Sequence, residues 1–259
     1  MGDGILVLFG APIAKEDDAL RAVTCACAMQ LAMGGVNEKM KTLGWPPLEM
    51  GIGINTGEVI VGNIGSEKRT KYGIVGSQVN LTYRIESYTS GGQILISEQT
   101  FKEVGSSVKI IGEKQVQPKG MSQPITIYEV YGVRGRYNLY LLKEEEIFFP
   151  VPQEILLLYT ILHDKQMSNT VFYGRLVKLS AKGAEIQVDT TNEVPPNLTN
   201  IKINFLTSNN SSQLSEDIYA KVLEKLADVG RFYIHFTSVP PAVVTQFDKL
   251  YQMIYQKNN

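Results

Sequence analysis

A chain of 259 residues exceeds the usual span of one core and suits two, since domains hold about 100 to 200 residues each. Its 44% apolar content and formal charge of −1 exclude global disorder and any general pull toward nucleic acid or an acidic membrane. Cys25 and Cys27 stand two apart in a helical pattern, so their side chains diverge and both read as free thiols. Free thiols and the lack of a charged-then-apolar leader lead to the expectation of a reducing, cytoplasmic compartment. No apolar run approaches the ~20 residues that span a bilayer, so no membrane segment is expected. His163 and His235 are lone histidines and offer no metal cluster.

Ile5 to Phe9 is an apolar run closed by Gly10-Ala11-Pro12, which predicts a buried strand ending in a turn. A core strand so close to Met1 needs an earlier partner, and upstream elements are therefore expected to be missing. Asp17 and Asp18 can cap a helix bearing Leu20, Val23, Cys27 and Leu31 on one face, with Gly34-Gly35 stopping or interrupting it. Leu48, Met50, Ile52 and Ile54 alternate as in a strand, and Thr56-Gly57-Glu58 leads into Val59-Ile60-Val61, which predicts a hairpin. Ser77 offers a cap before Val79, Leu81, Tyr83 and Ile85, and Ser90-Gly91-Gly92 ends that helix before a strand from Gln93 to Ile96. A short helix from Ser97, with strands near Val108 to Ile111 and Ile125 to Val130, completes a mixed α+β unit.

From Arg134 to Pro152 the pattern loses its period and carries Lys143-Glu144-Glu145-Glu146, as a linker would. The expected organisation is a first domain over 1–133, a linker over 134–152 and a second domain over 153–259. Strand-like runs follow at Phe172 to Leu179, Ala184 to Val188, Ile201 to Leu206, Ile218 to Leu226 and Phe232 to Phe236, which predict a small barrel or sandwich. Pro240-Pro241 opens a last helix with Val244, Phe247, Leu250, Tyr251 and Ile254 on one face, expected to cover that sheet.

Chemistry concentrates between Gly73 and Arg84. Asn80 and Arg84 stand four apart and project from one helix face. An amide and a guanidinium on a rigid element can grip a nucleotide, the guanidinium stabilising charge that grows on a phosphate. By spacing alone, a surface asparagine and a solvated arginine remain the plainer reading.

Six segments in order change that balance: Met1-Gly2-Asp3-Gly4-Ile5, Phe9-Gly10-Ala11-Pro12, Gly51-Ile52-Gly53-Ile54-Asn55-Thr56-Gly57, Val61-Gly62-Asn63-Ile64-Gly65-Ser66, Gly76-Ser77-Gln78-Val79-Asn80 and Lys119-Gly120. Together they resemble class III adenylate and guanylate cyclases. The resemblance implies a ferredoxin-like core working as a homodimer or paired with another cyclase domain. Such a core converts a nucleoside triphosphate to its 3′,5′-cyclic monophosphate and pyrophosphate. It further implies that Asp3 is one of two metal-binding aspartates for Mg²⁺ or Mn²⁺, that Asn80 orients the ribose, that Arg84 stabilises the transition-state phosphate, and that Lys119 holds the terminal phosphates. The second metal aspartate and the first base-selecting residue are not found, and the family order puts that aspartate upstream of Met1. The core is thus expected to be N-terminally truncated and weak or inactive alone. Gly73 takes a base-selecting position without a side chain; ATP is favoured over GTP because adenylate cyclases are the commoner bacterial members. Tyr83 departs from the family's usual small residue and is expected to crowd the helix packing.

The second half resembles a PilZ domain through Val177 to Ile186, containing Leu179-Ser180-Ala181-Lys182-Gly183, and through Gly230 to Thr237. Members that bind cyclic di-GMP carry arginines at i and i+4 and an Asp or Asn two residues before the serine. Here Arg134 and Arg136 have another spacing and Lys178 fills the Asp/Asn position. A degenerate, non-binding module with a regulatory or dimer-supporting role is expected, with a plain structural barrel or a cyclic di-GMP receptor as the alternatives.

Overall fold

The computed structural model describes residues 4–66, 69–118, 120–142, 146–163, 166–167, 170–189, 194–206 and 215–258. These form two compact units, Met1–Leu142 and Lys143–Asn259. The division falls inside the stretch expected to be a linker. That stretch also contributes β7 (Leu139–Tyr140) to the first unit and the start of β8 (Phe149–His163) to the second.

In the first unit, β1 (Ile52–Ile54) lies parallel to β4 (Ile94–Ser97), and β6 (Ile125–Val133) joins β4 to β5 (Val108–Val116) in the order β1-β4-β6-β5, with β7 on β6. A parallel pair needs a crossover, here supplied by β2 (Ile60–Ser66), β3 (Arg69–Val75) and α2 (Ser77–Ser87). Alternation along β4 sends Ile94 and Ile96 to one face and Leu95 to the other. The first face carries α1 (Asp18–Thr42) and α3 (Glu98–Val104), whose Val23, Ala26, Cys27 and Val104 join Val108, Val130 and Val133 in one core. Ser97 caps α3, its hydroxyl accepting the Thr100 N–H.

Three expectations are corrected. Residues 5–9 form no described strand, and Ile5, Leu6 and Val7 stand 43–75% exposed; apolar side chains make a strand only where a neighbouring backbone supplies the ladder, and no described strand pairs with them. The hairpin is β2–β3 rather than β1–β2: Ile60 faces Val75 and Gly62 faces Gly73, while β1 pairs with β4. Next, α1 runs through Gly34-Gly35, a cost of about 1 kcal/mol per glycine relative to alanine. Its far end is held by Asn37, whose amide donates to Leu48 O and accepts from Leu48 N, and by Gln30, which donates to Met50 O; Leu31 is exposed rather than in the core. By length and composition α1 alone among the described helices could cross a membrane, with a mean hydropathy of 1.4 over its most apolar 18 residues, a test that core helices also pass; here Val23, Thr24, Ala26 and Cys27 are buried in the unit's core.

Burial pushes the Cys27 thiol up to about 11, while Cys25 is only half-buried. Thiolate is the reactive form. Titration of the native chain with a thiol reagent at pH 8 is therefore expected to modify Cys25 promptly and Cys27 only after denaturant is added; two fast equivalents would refute this.

In the second unit, β10 (Phe172–Leu179), β11 (Gly183–Val188), β14 (Arg231–Ser238), β13 (Ile218–Val222), β12 (Asn200–Phe205) and β8 pair in that order. A β10–β8 ladder closes the six into a barrel, with β9 (Gln166–Met167) added to β8. Closure removes open edges. Leu157, Leu176, Ile186, Ile201, Ile218 and Ile234 fill its interior, and α4 (Pro241–Asn258) packs Val243, Phe247, Leu250 and Tyr251 against them. The run expected to reach Leu226 ends at Val222, and Leu226 is fully in solvent.

Candidate active site

The helix carrying Asn80 and Arg84 lies on the β1 face opposite α1, over an extended line of positions 51, 53, 55 and 57. Three of them are glycines with no room for a side chain. A Cβ on Gly51 would stand 1.9 Å from Thr89 Oγ1, one on Gly53 2.4 Å from the Glu86 backbone nitrogen, and one on Gly57 2.7 Å from Gln78 Cγ. Real Cβ atoms do not approach so closely: at Gly53 the α2 backbone lies directly on β1, while at Gly51 and Gly57 the side chains of Thr89 and Gln78 fill the space. The fourth position is Asn55, whose Nδ2 donates to Gln78 Oε1 at 2.9 Å and to the Gln78 carbonyl at 3.1 Å. At the other end of α2, Ile85 is wholly buried and the Thr89 hydroxyl donates to Glu86 O.

The start of α2 lacks a side-chain cap. Its N-cap is Gly76, at φ +153°, and Ser77, read as the cap from sequence, is the first helical residue. Gly76 reaches a φ that a Cβ disfavours. From this start α2 presents an exposed Asn80 and, one turn on, a half-buried Arg84. Burial raises the Tyr88 phenol, and the nearby Arg84 guanidinium acts in the opposite direction. Tyr83 is 48% exposed, so the expected crowding does not occur: its ring leaves the packed face.

Asp3 and Lys119 lie outside the described residues, so of the four expected site residues the described structure brings together Asn80 and Arg84. An open groove of about 740 Å³ beside the first turn of α2 is lined by Asn55, Glu58, Gln78, Leu81 and Glu103, among others, but by neither Asn80 nor Arg84. Among the described residues no group of three or more His, Cys, Asp or Glu is placed to hold a metal ion. Asp3, the residue expected to hold Mg²⁺ or Mn²⁺, lies outside those residues. Sequence reading did not anticipate the Asn55–Gln78 bonds or the close approach at the glycine line, although the alternation Gly51-x-Gly53-x-Asn55-x-Gly57 was the available signal.

The chain is similar to known cyclases over this first unit. It is 31% identical to Adenylate cyclase 1 of Rhizobium meliloti (strain 1021) over 139 residues, 53% of this chain and 21% of that protein. To an adenylate cyclase of Anabaena cylindrica it is 36% identical over 140 residues, 50% of this chain and 27% of that protein. The chain thus spans about a quarter of the length of these curated relatives. Among solved structures, the guanylyl cyclase Cya2 matches at 65% identity with a TM-score of 0.53, over 55% of this chain and 72% of that one. The family model for the Adenylate and Guanylate cyclase catalytic domain matches residues 1–143, more than half of the 259, and the chain belongs to that family.

Proposed function

We propose that this chain supplies the Asn80 and Arg84 half of a two-subunit site that cyclises a purine nucleoside triphosphate to its 3′,5′-cyclic monophosphate and pyrophosphate. The observation that carries the reading is the placement of an exposed Asn80 and a half-buried Arg84 one turn apart on a helix seated rigidly on β1. In the reaction, the ribose 3′-oxygen bonds to the α-phosphorus, its proton is lost, and the bond to the pyrophosphate oxygen breaks. Asn80 holds the ribose in line for that attack, and Arg84 meets the negative charge that grows on the α-phosphate. Lys119 is proposed to hold the terminal phosphates, and Asp3 to be one carboxylate of a divalent-metal site. The partner subunit, a second copy or another cyclase domain, is proposed to complete the site.

The adenylate cyclases of Rhizobium meliloti and Anabaena cylindrica support ATP as substrate. A second reading, GTP, is favoured by the 65% identity to a guanylyl cyclase, and Gly73 adds no side chain to discriminate the bases. For the second unit, the closed barrel and the Leu179-Ser180-Ala181-Lys182-Gly183 turn support a PilZ-like module. Lys178 in place of an acid or amide argues against cyclic di-GMP as its ligand. The two cysteines, free in the structure, fit a cytoplasmic location.

The test mixes the purified chain with a cyclase domain that keeps both metal aspartates but lacks its own arginine, with Mn²⁺ and ATP or GTP at equal concentration. Cyclic nucleotide made by the mixture, with little made by either component alone, is the expected result, and the faster substrate identifies the base. A mixture that gains nothing over its parts, with both nucleotides, overturns the composite site.

A further inference from the structure

We infer that Asn55 is a positioning residue for cyclisation: its carboxamide pins the first turn of α2 and thereby sets where Asn80 and Arg84 stand. This rests on the composite-site reading above. Along the line 51–53–55–57 beneath α2, the three glycines have no side chain with which to hold the helix, and Asn55 is the member that has one. Its two hydrogen bonds both end on Gln78, two residues before Asn80. The Gln78 carbonyl also accepts from Thr82 Oγ1 at 2.8 Å, so the amide ties the strand to the turn that holds Asn80.

The two ends of α2 are anchored differently. The far end has Ile85, wholly buried, and the close approach of Glu86 to Gly53. The near end has a glycine cap without a side-chain bond and depends on Asn55. A rigid helix released at one end pivots about the other, so loss of the clamp displaces Asn80 more than Arg84.

Asn55→Asp keeps the shape of the side chain but sets carboxylate oxygens against a carbonyl that can only accept. Two readouts in the full chain test the inference. By hydrogen exchange, the amides of residues 77–82 are expected to exchange about tenfold faster than in wild type, as for the loss of one hydrogen bond, while those of Ile94 to Ile96 keep their rates. Unchanged protection of residues 77–82 overturns the inference. In the mixed-subunit assay, Asn55→Asp is expected to lower kcat about tenfold with KM held within about twofold. In an Asn80→Ala background the same change is expected to cost less than about twofold, because the group that loss of the clamp displaces most is gone. Equal, additive losses in both backgrounds mean a structural role only and overturn it, as does faster exchange with an unchanged kcat. If the wild-type mixture makes no cyclic nucleotide, the cyclase reading fails, and hydrogen exchange alone still decides whether Asn55 holds α2.

Discussion

Replacing Arg84 by alanine is expected to lower kcat of the mixed-subunit cyclase by about 10²- to 10³-fold, the usual cost of removing a preorganised donor aimed at developing charge. KM is expected to move by less than about threefold, since the interaction belongs to the transition state rather than to the bound substrate. Arg84→Lys restores charge but not the planar fork, so a partial recovery is expected. Half-buried beside Tyr88, Arg84 also belongs to its own unit, and a thermal melt of each variant separates lost catalysis from lost folding. Turnover equal to wild type in a folded Arg84→Ala chain would remove the guanidinium from the chemistry.

The second large effect is one of stability and concerns the barrel. Glu185 is almost wholly buried, and the Lys178 ammonium lies 2.7 Å from its Oε2. Among the described residues that oxygen has no other hydrogen-bond partner, so the ammonium alone serves it. Arg231 stands 4.0 Å from Oε1. Lys178→Met keeps most of the apolar stem and strands the carboxylate, which is expected to cost about 2 to 3 kcal/mol, the low side of the range for a broken buried pair because Lys178 is partly exposed. A fall of about 10 °C in the melting temperature of the second unit would report it. The pH dependence follows from the lysine. Its pKa is raised above the ordinary 10.5, first by its hydrogen bond to Glu185 and against an opposing effect of burial. Since the folded value lies above the unfolded one, the stabilisation is complete below the unfolded value and fades as pH rises through the folded one. Wild type is therefore expected to lose stability on that alkaline climb, and Lys178→Met to lack that component of the loss. Identical alkaline melting curves for the two proteins would dissociate Lys178 from the effect.

Local chemistry was readable in the chain. Ser97 caps α3 because a hydroxyl one residue before a helix meets its free amides wherever the helix lies. The valine and isoleucine runs of β4 and β6 and the apolar face of α4 were equally plain, since their periods depend on neighbours a few residues away. The Asn80–Arg84 pair was visible for the same reason: four residues on a helix bring two side chains to one face.

Strand partners and helix seating were not readable in this way. Alternating Ile52 and Ile54 announce a strand, but nothing in their order says that they run parallel to Ile94–Ile96 instead of folding back on Val59–Val61. The apolar run at residues 5–9 promised a strand that no described ladder receives. Gly34-Gly35 suggested a stop that Asn37 and Gln30 overrule through bonds to residues 11 and 20 positions away.

By itself, then, the sequence determined the family, two folding units and most element types, and it singled out the residues proposed to act on a polyphosphate, because composition, period and motif are properties of short stretches. Only the tertiary structure decided how α2 is held: glycines 51, 53 and 57 acquire meaning when a helix more than 20 residues downstream lies on them, and Asn55 when Gln78 arrives to accept its hydrogens. Burial and hydrogen bonding are settled by what the chain brings together in space, and that depends on the whole fold.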